Sequence, residues 1–145
     1  MDLTQNKFVL FHLGDLTLAL NVSEIREIIN IQPIDEVPNV NSMIAGVINL
    51  RGRIIPVVKL RDRFGLEQKA FDKYTRIIIV RENDETIGIV IDQLLKVIQI
   101  HDKHFEKSPN MVVSFDQNCL EGFVRVESQL IGILKLNTVL YPEGV

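Results

Sequence analysis

The chain has 145 residues, of which 46% are apolar and 24% charged, a composition typical of one compact globular unit. Its formal net charge is −3, so it lacks the basic field that binding to a nucleic-acid backbone or an anionic membrane requires. The single cysteine excludes an internal disulfide, no apolar run reaches membrane-spanning length, and no basic segment precedes an apolar stretch at the N-terminus. A cytoplasmic location is therefore predicted.

The first third of the chain begins with the pattern of a β-hairpin. KFVLFHL (7–13) is followed by the turn residues Gly14 and Asp15 and then by LTLALNV (16–22). The next segment, 23–31, has mixed periodicity, which is compatible with a helical turn that continues as a strand but does not decide between helix and strand. Short runs of this kind, rich in isoleucine and valine, predict an all-β fold with short helices.

A second hairpin of the same kind begins near the middle of the chain. TRIIIVR (75–81) and TIGIVID (86–92) flank a turn that we interpret as four residues long, 82–85. The segment that follows, 93–100, again has mixed periodicity, which is compatible with a helical turn that continues as a strand but does not decide between helix and strand.

The two parts of the chain repeat each other. GVINLRGRIIPVVKLRDRF (46–64) aligns without a gap on GFVRVESQLIGILKLNTVL (122–140), an offset of 122 − 46 = 76. LTLALN aligns on IGIVID with an offset of 87 − 16 = 71. The sequence therefore predicts one β module present twice, a pseudo-dimer within one domain that covers residues 1–145.

Each copy is expected to have about five short strands that curl into a small barrel. We place the first copy at about 14–65 and the second at about 75–141, and we leave open whether the two copies share the N-terminal strand 7–13. Segments 60–65 and 136–141 are expected to form short helical turns that end each copy.

The chain has none of the sequence motifs that would indicate an enzyme. Phosphate-binding glycine loops, metalloprotease helices, paired CxxC motifs and nucleophile elbows are absent. His101 and His104 lie near Asp102, but this spacing is more typical of a solvated turn than of a metal site. Cys119 has no basic neighbour in the sequence and is expected to be a buried or half-buried thiol. We therefore predict no catalytic activity, no cofactor and no metal.

The two copies differ most at one turn. Residues 51–53 read RGR, whereas the equivalent residues 127–129 read ESQ. Gly52 suits a tight turn, because glycine adopts positive φ without steric cost. The guanidinium of Arg51 can bind a carboxylate, so it is expected either to lock the gap between the two barrels or to reach an acidic residue on a partner.

The segment GVINLRGRIIPVVKLRDRFG resembles the signature segment of the CheW family of bacterial chemotaxis coupling proteins. FVLFHLGD with NVSEIREII resembles the first hairpin of that family, and ETIGIVIDQLLKVIQI resembles the second. The likeness covers nearly the whole chain. It implies two intertwined, five-stranded, SH3-like barrels without catalytic activity or cofactor. It also implies two partners, the histidine kinase CheA, which has a CheW-like regulatory domain, and the cytoplasmic helical hairpin of methyl-accepting chemoreceptors.

The resemblance further implies a receptor-binding groove between the barrels. The positions that match this groove are Ile25, Glu27, Ile28, Gly46, Arg51, Val97 and Ile98. The kinase would face the ends of both barrels, where no individual residue is assigned. The resemblance implies no direct membrane insertion.

Two other functions remain open from the residues alone. A coupling protein of a non-flagellar chemosensory system would have the same fold and type of site. A small-ligand-binding or enzymatic β-barrel would need a deep polar pocket with convergent titratable groups. A nucleic-acid-binding barrel is disfavoured by the net charge and by the low aromatic content of 6%.

Overall fold

A computed structural model of the protein describes residues 6–37, 44–101, 105–106 and 117–141. Within these ranges the backbone forms β1 (Lys7–Leu13), β2 (Leu16–Asn21), β3 (Ile25–Asn30), β4 (Ile44–Leu50), β5 (Arg53–Lys59), α1 (Leu60–Arg63), β6 (Arg76–Glu82), β7 (Glu85–Ile91), β8 (Gln93–Gln99), β9 (Phe105–Glu106), β10 (Leu120–Val126), β11 (Gln129–Leu134) and α2 (Leu136–Leu140). Short 3-10 helices precede β3 and β10, at Val22–Glu24 and Gln117–Cys119.

The strands form two sheets. The first sheet has the order β8-β1-β2-β11-β10-β9, and the second has the order β3-β6-β7-β5-β4. Since β9 has only two residues, the first sheet consists of five long strands and one short addition. Neighbouring strands are antiparallel except for β2 beside β11 and β5 beside β7, which are parallel. The prediction of an all-β fold built from two five-stranded units with short helices is confirmed.

The two sheets have the same topology. When β1, β2, β3, β4 and β5 are exchanged with β6, β7, β8, β10 and β11, respectively, the strand order of the second sheet becomes that of the first without β9. Strands β4 and β10 begin 120 − 44 = 76 residues apart, as do α1 and α2 at 136 − 60 = 76. Pairing in both copies shifts register at the same place, between Ile44 and Gly46 and between Leu120 and Gly122. The offset of 76 and the two helical turns are confirmed.

The offset of 71 between the hairpins is wrong. The turn between β6 and β7 contains two residues, Asn83 and Asp84, which both have positive φ, and not four. Strand β7 therefore begins 85 − 16 = 69 residues after β2. The parallel pairs agree with this offset, because Ala19 is paired with Ile133 and Gly88 with Val57. A shift of two residues preserves the alternation of side chains, so the apolar pattern could not reveal the error.

The two sequence copies exchange their hairpins. The β6–β7 hairpin, from the second copy, lies in the second sheet between β3 and β5. The β1–β2 hairpin lies in the first sheet between β8 and β11. Segments 14–65 and 75–141 therefore each contribute strands to both sheets, and the two units are intertwined.

Three apolar cores explain the uninterrupted apolar runs of the inner strands. In β6, Ile77 and Ile79 face a core that belongs to the second sheet alone. Ile78 and Val80 face the opposite way, into a central cluster shared by both sheets. The first sheet has its own core on the far side of β1. A strand that is buried on both faces needs apolar residues at every position, so strict alternation is lost.

The junction between β7 and β8 is held by an ion pair between Asp92 and Arg61 of α1. Nε and Nη2 of Arg61 donate to the two carboxylate oxygens of Asp92 at 3.0 and 2.6 Å. The amide of Gly14, in the β1–β2 turn, donates to the same carboxylate at 2.7 Å. Burial raises the pKa of Asp92, but the hydrogen bonds from Arg61 and Gly14 outweigh it and hold that pKa below its usual range. This clamp joins elements of the two sheets.

Candidate partner-binding surface

The β4–β5 turn is a two-residue turn in which both central residues have positive φ. Arg51 has a φ of 51° and Gly52 a φ of 85°, and the amide of Gly52 donates to Oδ1 of Asn49 at 2.9 Å. In the equivalent β10–β11 turn, Glu127 and Ser128 have φ values of 50° and 69°. Such a turn matches the twist of a hairpin. Because Ser128 adopts the same conformation, glycine is favoured at position 52 but is not indispensable.

The guanidinium of Arg51 binds the carboxylate of Glu27, which lies on β3. The hydrogen bond with Glu27 is the main cause that raises the pKa of Arg51. Both residues belong to the second sheet, whose two edge strands, β3 and β4, approach each other at this pair. The pair therefore closes one sheet on itself and does not join the two sheets. The side chain of Arg51 remains 68% exposed and accessible to a partner.

The apolar residues of β3 in the predicted groove are half-buried. Ile25 and Ile28 both pack against the central cluster while part of each side chain remains at the surface. Strand β3 is an edge strand that pairs only with β6 among the described strands. Ile25, Glu27 and Ile28 thus lie on one sheet edge, next to the β4–β5 turn.

Glycine is required at position 46 because the backbone of Asp35 passes directly over it. The amides of Asp35 and Val47 each donate to the other residue's carbonyl, at 2.9 and 2.8 Å. A Cβ on Gly46 would lie only 2.2 Å from the carbonyl oxygen of Asp35. Gly46 is buried, so its position has a structural cause, and a direct partner contact there stays a prediction.

The remaining two predicted residues, Val97 and Ile98, lie on β8, the edge strand of the first sheet. Val97 is 57% exposed and Ile98 is half-buried against the core of the first sheet. The offset of 97 − 28 = 69 makes Val97 the equivalent of Ile28 on β3. Two further residues of β8, Leu94 and Leu95, are exposed and were not predicted. The apolar residues of this segment resemble those of an ordinary buried strand.

The structure thus brings four of the predicted residues, Ile25, Glu27, Ile28 and Arg51, together at one edge of the second sheet, while Gly46 is buried on β4, the opposite edge strand. Glu27 and Arg51 are in direct contact, while Val97 and Ile98 lie on the other sheet. No hydrogen bond or ion pair among the described residues links the two groups. Their role in receptor binding stays a prediction.

The described residues contain no group of three or more histidine, cysteine, aspartate or glutamate side chains that could hold a metal ion. Asp102 and His104 lie outside the described residues, and Cys119 is buried as expected. No helix in the described ranges is long and apolar enough to span a membrane.

One carboxylate outside the predicted groove, that of Glu24, has a raised pKa. Burial, together with the charges of Glu121 and Glu82, raises the pKa of Glu24 to about 7. Glu24 lies in the 3-10 helix where the chain crosses from the first sheet to the second.

Comparison with known proteins gives a consistent result. The family model of the CheW-like domain matches residues 7–143. The chemotaxis protein CheW of Bacillus subtilis is 34% identical over 97% of this chain and 90% of its own length. That of Helicobacter pylori is 32% identical over 92% of this chain and 81% of its own. The crystal structure of the scaffolding protein TtCheW from Thermoanaerobacter tengcongensis superimposes with a TM-score of 0.87 at 32% identity, covering 97% and 91% of the two chains.

The exchanged hairpins, the exposed edge strands and these matches define a scaffold protein of bacterial chemotaxis that is not an enzyme. The chain belongs to the CheW family.

Proposed function

We propose that this chain couples the cytoplasmic helical hairpin of a methyl-accepting chemoreceptor to the histidine kinase CheA. It would act in the cytoplasm, at receptor arrays next to the membrane, and it would contact the CheW-like regulatory domain of the kinase. Membership of the CheW family and the scaffold fold support this role.

One observation carries the proposed receptor contact: the outer strand of each sheet has an apolar side chain at the same position that is at least partly at the surface. These residues are Ile28 on β3, which is half-buried, and Val97 on β8, which is 57% exposed. A helix binds an apolar groove through a few such side chains spaced along one face. The Glu27–Arg51 pair beside Ile28 would fix the register of the helix, since its exposed guanidinium has further donors.

Arg51→Ala and Val97→Asp test the proposal. Each variant should fold, because both side chains are largely exposed, but should bind a receptor hairpin fragment about tenfold more weakly. In a mixture of receptor fragment, kinase and variant, the kinase autophosphorylation rate should respond less to the receptor. Glu127→Ala, in the equivalent turn of the first sheet, is the matched control and should behave as the wild type.

Normal binding and coupling by Arg51→Ala and Val97→Asp would contradict the proposed groove. Unfolding of Arg51→Ala, monitored by circular dichroism, would instead assign Arg51 a purely structural role.

A further inference from the structure

A cleft with mainly apolar walls lies at the end of the second sheet that is opposite the β4–β5 turn. It has a volume of about 420 Å3, which is within the range of small-molecule sites. We call it the Lys59 cleft, after the last residue of β5, which lines it. Because Lys59 and Arg53 are 59 − 53 = 6 residues apart on one strand, the cleft lies about 20 Å from the turn that holds Arg51.

The apolar floor of the Lys59 cleft is preformed. Ile31 and Ile34 line the cleft and pack against the core that belongs to the second sheet alone. The backbone next to Ile34 is fixed by the two hydrogen bonds between Asp35 and Val47. Side chains that are already held in place lose little conformational freedom when a ligand binds, so this surface is suited to an apolar group.

One wall of the cleft carries a positive charge. Lys59 is half-buried, and its Nζ lies 5.6 Å from the ring centroid of Phe71 and 3.4 Å from Oε1 of Gln68. Among the described residues, no carboxylate lies within 4 Å of this ammonium group. Glu36 also lines the cleft, but it is exposed to solvent. The ammonium group of Lys59 therefore has donors left for an anionic group that enters the cleft.

The apolar walls are specific to the second sheet. With the offset of 76, the equivalents of Lys59 and Ala45 are Lys135 and Glu121 in the first sheet. An exposed carboxylate thus replaces the methyl group that lines the Lys59 cleft. Phe71 belongs to the segment between the two copies and lies outside the aligned repeat. The fold does not require an apolar cleft beside this lysine, and Lys135 provides a matched control for Lys59.

We infer that the Lys59 cleft binds a small apolar monocarboxylate, of the class of the medium-chain fatty acids. Its apolar chain would lie on Ile31, Ile34 and Phe71, and its carboxylate would accept hydrogen bonds from Nζ of Lys59. Apolar walls with a single placed charge are typical of small-molecule sites. A ligand with a second negative charge fits less well, because Glu36 lines the same opening. This inference goes beyond the proposed function and does not depend on it.

The test is a titration of the isotope-labelled full chain with octanoate, below the concentration at which octanoate forms micelles, followed by amide chemical shifts in NMR. Octylamine has the same chain length but is cationic at neutral pH, so it is the matched control ligand. Lys59→Met removes the ammonium group and keeps an apolar stem, and Lys135→Met makes the same change in the first sheet. Phe71→Ala removes the aromatic wall. Thermal unfolding shows that each variant is folded.

Octanoate should bind the wild type in the millimolar range or more tightly and shift the amides of residues 31–36 and 45. Lys59→Met should weaken this binding about tenfold, because the carboxylate loses its charged donor. Phe71→Ala should weaken it about threefold or more, since part of the apolar contact is removed. Lys135→Met should bind octanoate as the wild type does.

A wild-type chain that does not bind octanoate, or that binds octylamine equally well, overturns the inference. An equal loss in Lys135→Met also overturns it, since the charge of the chain alone would then explain the effect. If Lys59→Met does not fold, Phe71→Ala decides, because Phe71 is 43% exposed, and unchanged octanoate binding by that variant contradicts the site. None of these outcomes affects the receptor-binding test of the proposed function.

Discussion

Replacing Gly46 by alanine should lower the free energy of unfolding by about 3 kcal/mol. The added Cβ would lie 2.2 Å from the carbonyl oxygen of Asp35 and 2.8 Å from Cγ2 of Ile34. The first contact is with backbone, which cannot rotate away. Relief requires the segment around Asp35 to move away from β4. This movement breaks its two backbone hydrogen bonds with Val47, each of which contributes about 1 kcal/mol. Residual overpacking contributes about 1 kcal/mol more.

Urea denaturation followed by circular dichroism measures this loss, and the melting temperature should fall by about 10 °C. Gly52→Ser is the control. A Cβ at Gly52 would meet nothing within 4 Å, and Ser128 already has a φ of 69° at the equivalent position. Its cost should stay below about 1 kcal/mol.

The result bears on function, because position 46 was predicted to be part of the receptor groove. We expect weaker receptor binding by Gly46→Ala to follow from the displaced backbone and to accompany the loss of stability. If Gly46→Ala unfolds at the same urea concentration as the wild type but fails to bind the receptor fragment, the argument from the close approach is wrong and Gly46 is a contact residue.

Two further predictions concern the junctions between the sheets. Arg61→Ala should lower the free energy of unfolding by about 2 kcal/mol at neutral pH, because the Asp92 carboxylate, 13% exposed, keeps only the Gly14 amide. This difference in the free energy of unfolding should shrink as the pH falls below about 3.8, the ordinary pKa of an aspartate, because Asp92 is then protonated in the unfolded chain. It should vanish at still lower pH, where Asp92 is protonated in the folded chain as well, and urea titrations at several pH values measure this loss. The pKa of Glu24 is raised from 4.5 to about 7, so its protonation stabilises the fold fully below pH 4.5, and that contribution is lost as the pH rises through 7. Stability differences between Glu24→Gln and the wild type should therefore change over this pH window, and parallel pH profiles would contradict the raised pKa.

Local patterns predicted the strands and the repeat well, because alternation and turn residues are properties of neighbouring positions. The β6–β7 turn was predicted two residues too long, since Glu82 and Glu85 are polar yet belong to the strands. The mixed periodicity of segments 23–31 and 93–100 left helix and strand open. The structure has a 3-10 helix at Val22–Glu24 before β3, whereas β8 begins at once as a strand. Nothing in the sequence distinguished these two similar segments.

Long-range contacts could not be predicted in the same way. Glu27 and Arg51 were both predicted to belong to the receptor-binding groove, but their ion pair was not predicted. It forms because the second sheet curls and brings its two edge strands together. Asp92 was interpreted as an ordinary surface residue, and the structure shows it half-buried in the clamp with Arg61. That clamp forms only because the hairpins are exchanged, which places α1 beside the β7–β8 junction.

The repeat leaves the molecule with two ends of equal shape, and charge distinguishes them. The equivalents of Glu27 and Arg51 are Lys96 and Glu127, at 27 + 69 and 51 + 76, so the signs of the two charges are reversed. An adaptor with identical ends would accept each partner in two orientations. A partner segment that binds the Glu27–Arg51 pair would meet the opposite arrangement of charges at the first sheet, so we expect it to bind the second sheet in preference. The difference between the two turns that was visible in the sequence is therefore expected to favour one orientation of the adaptor.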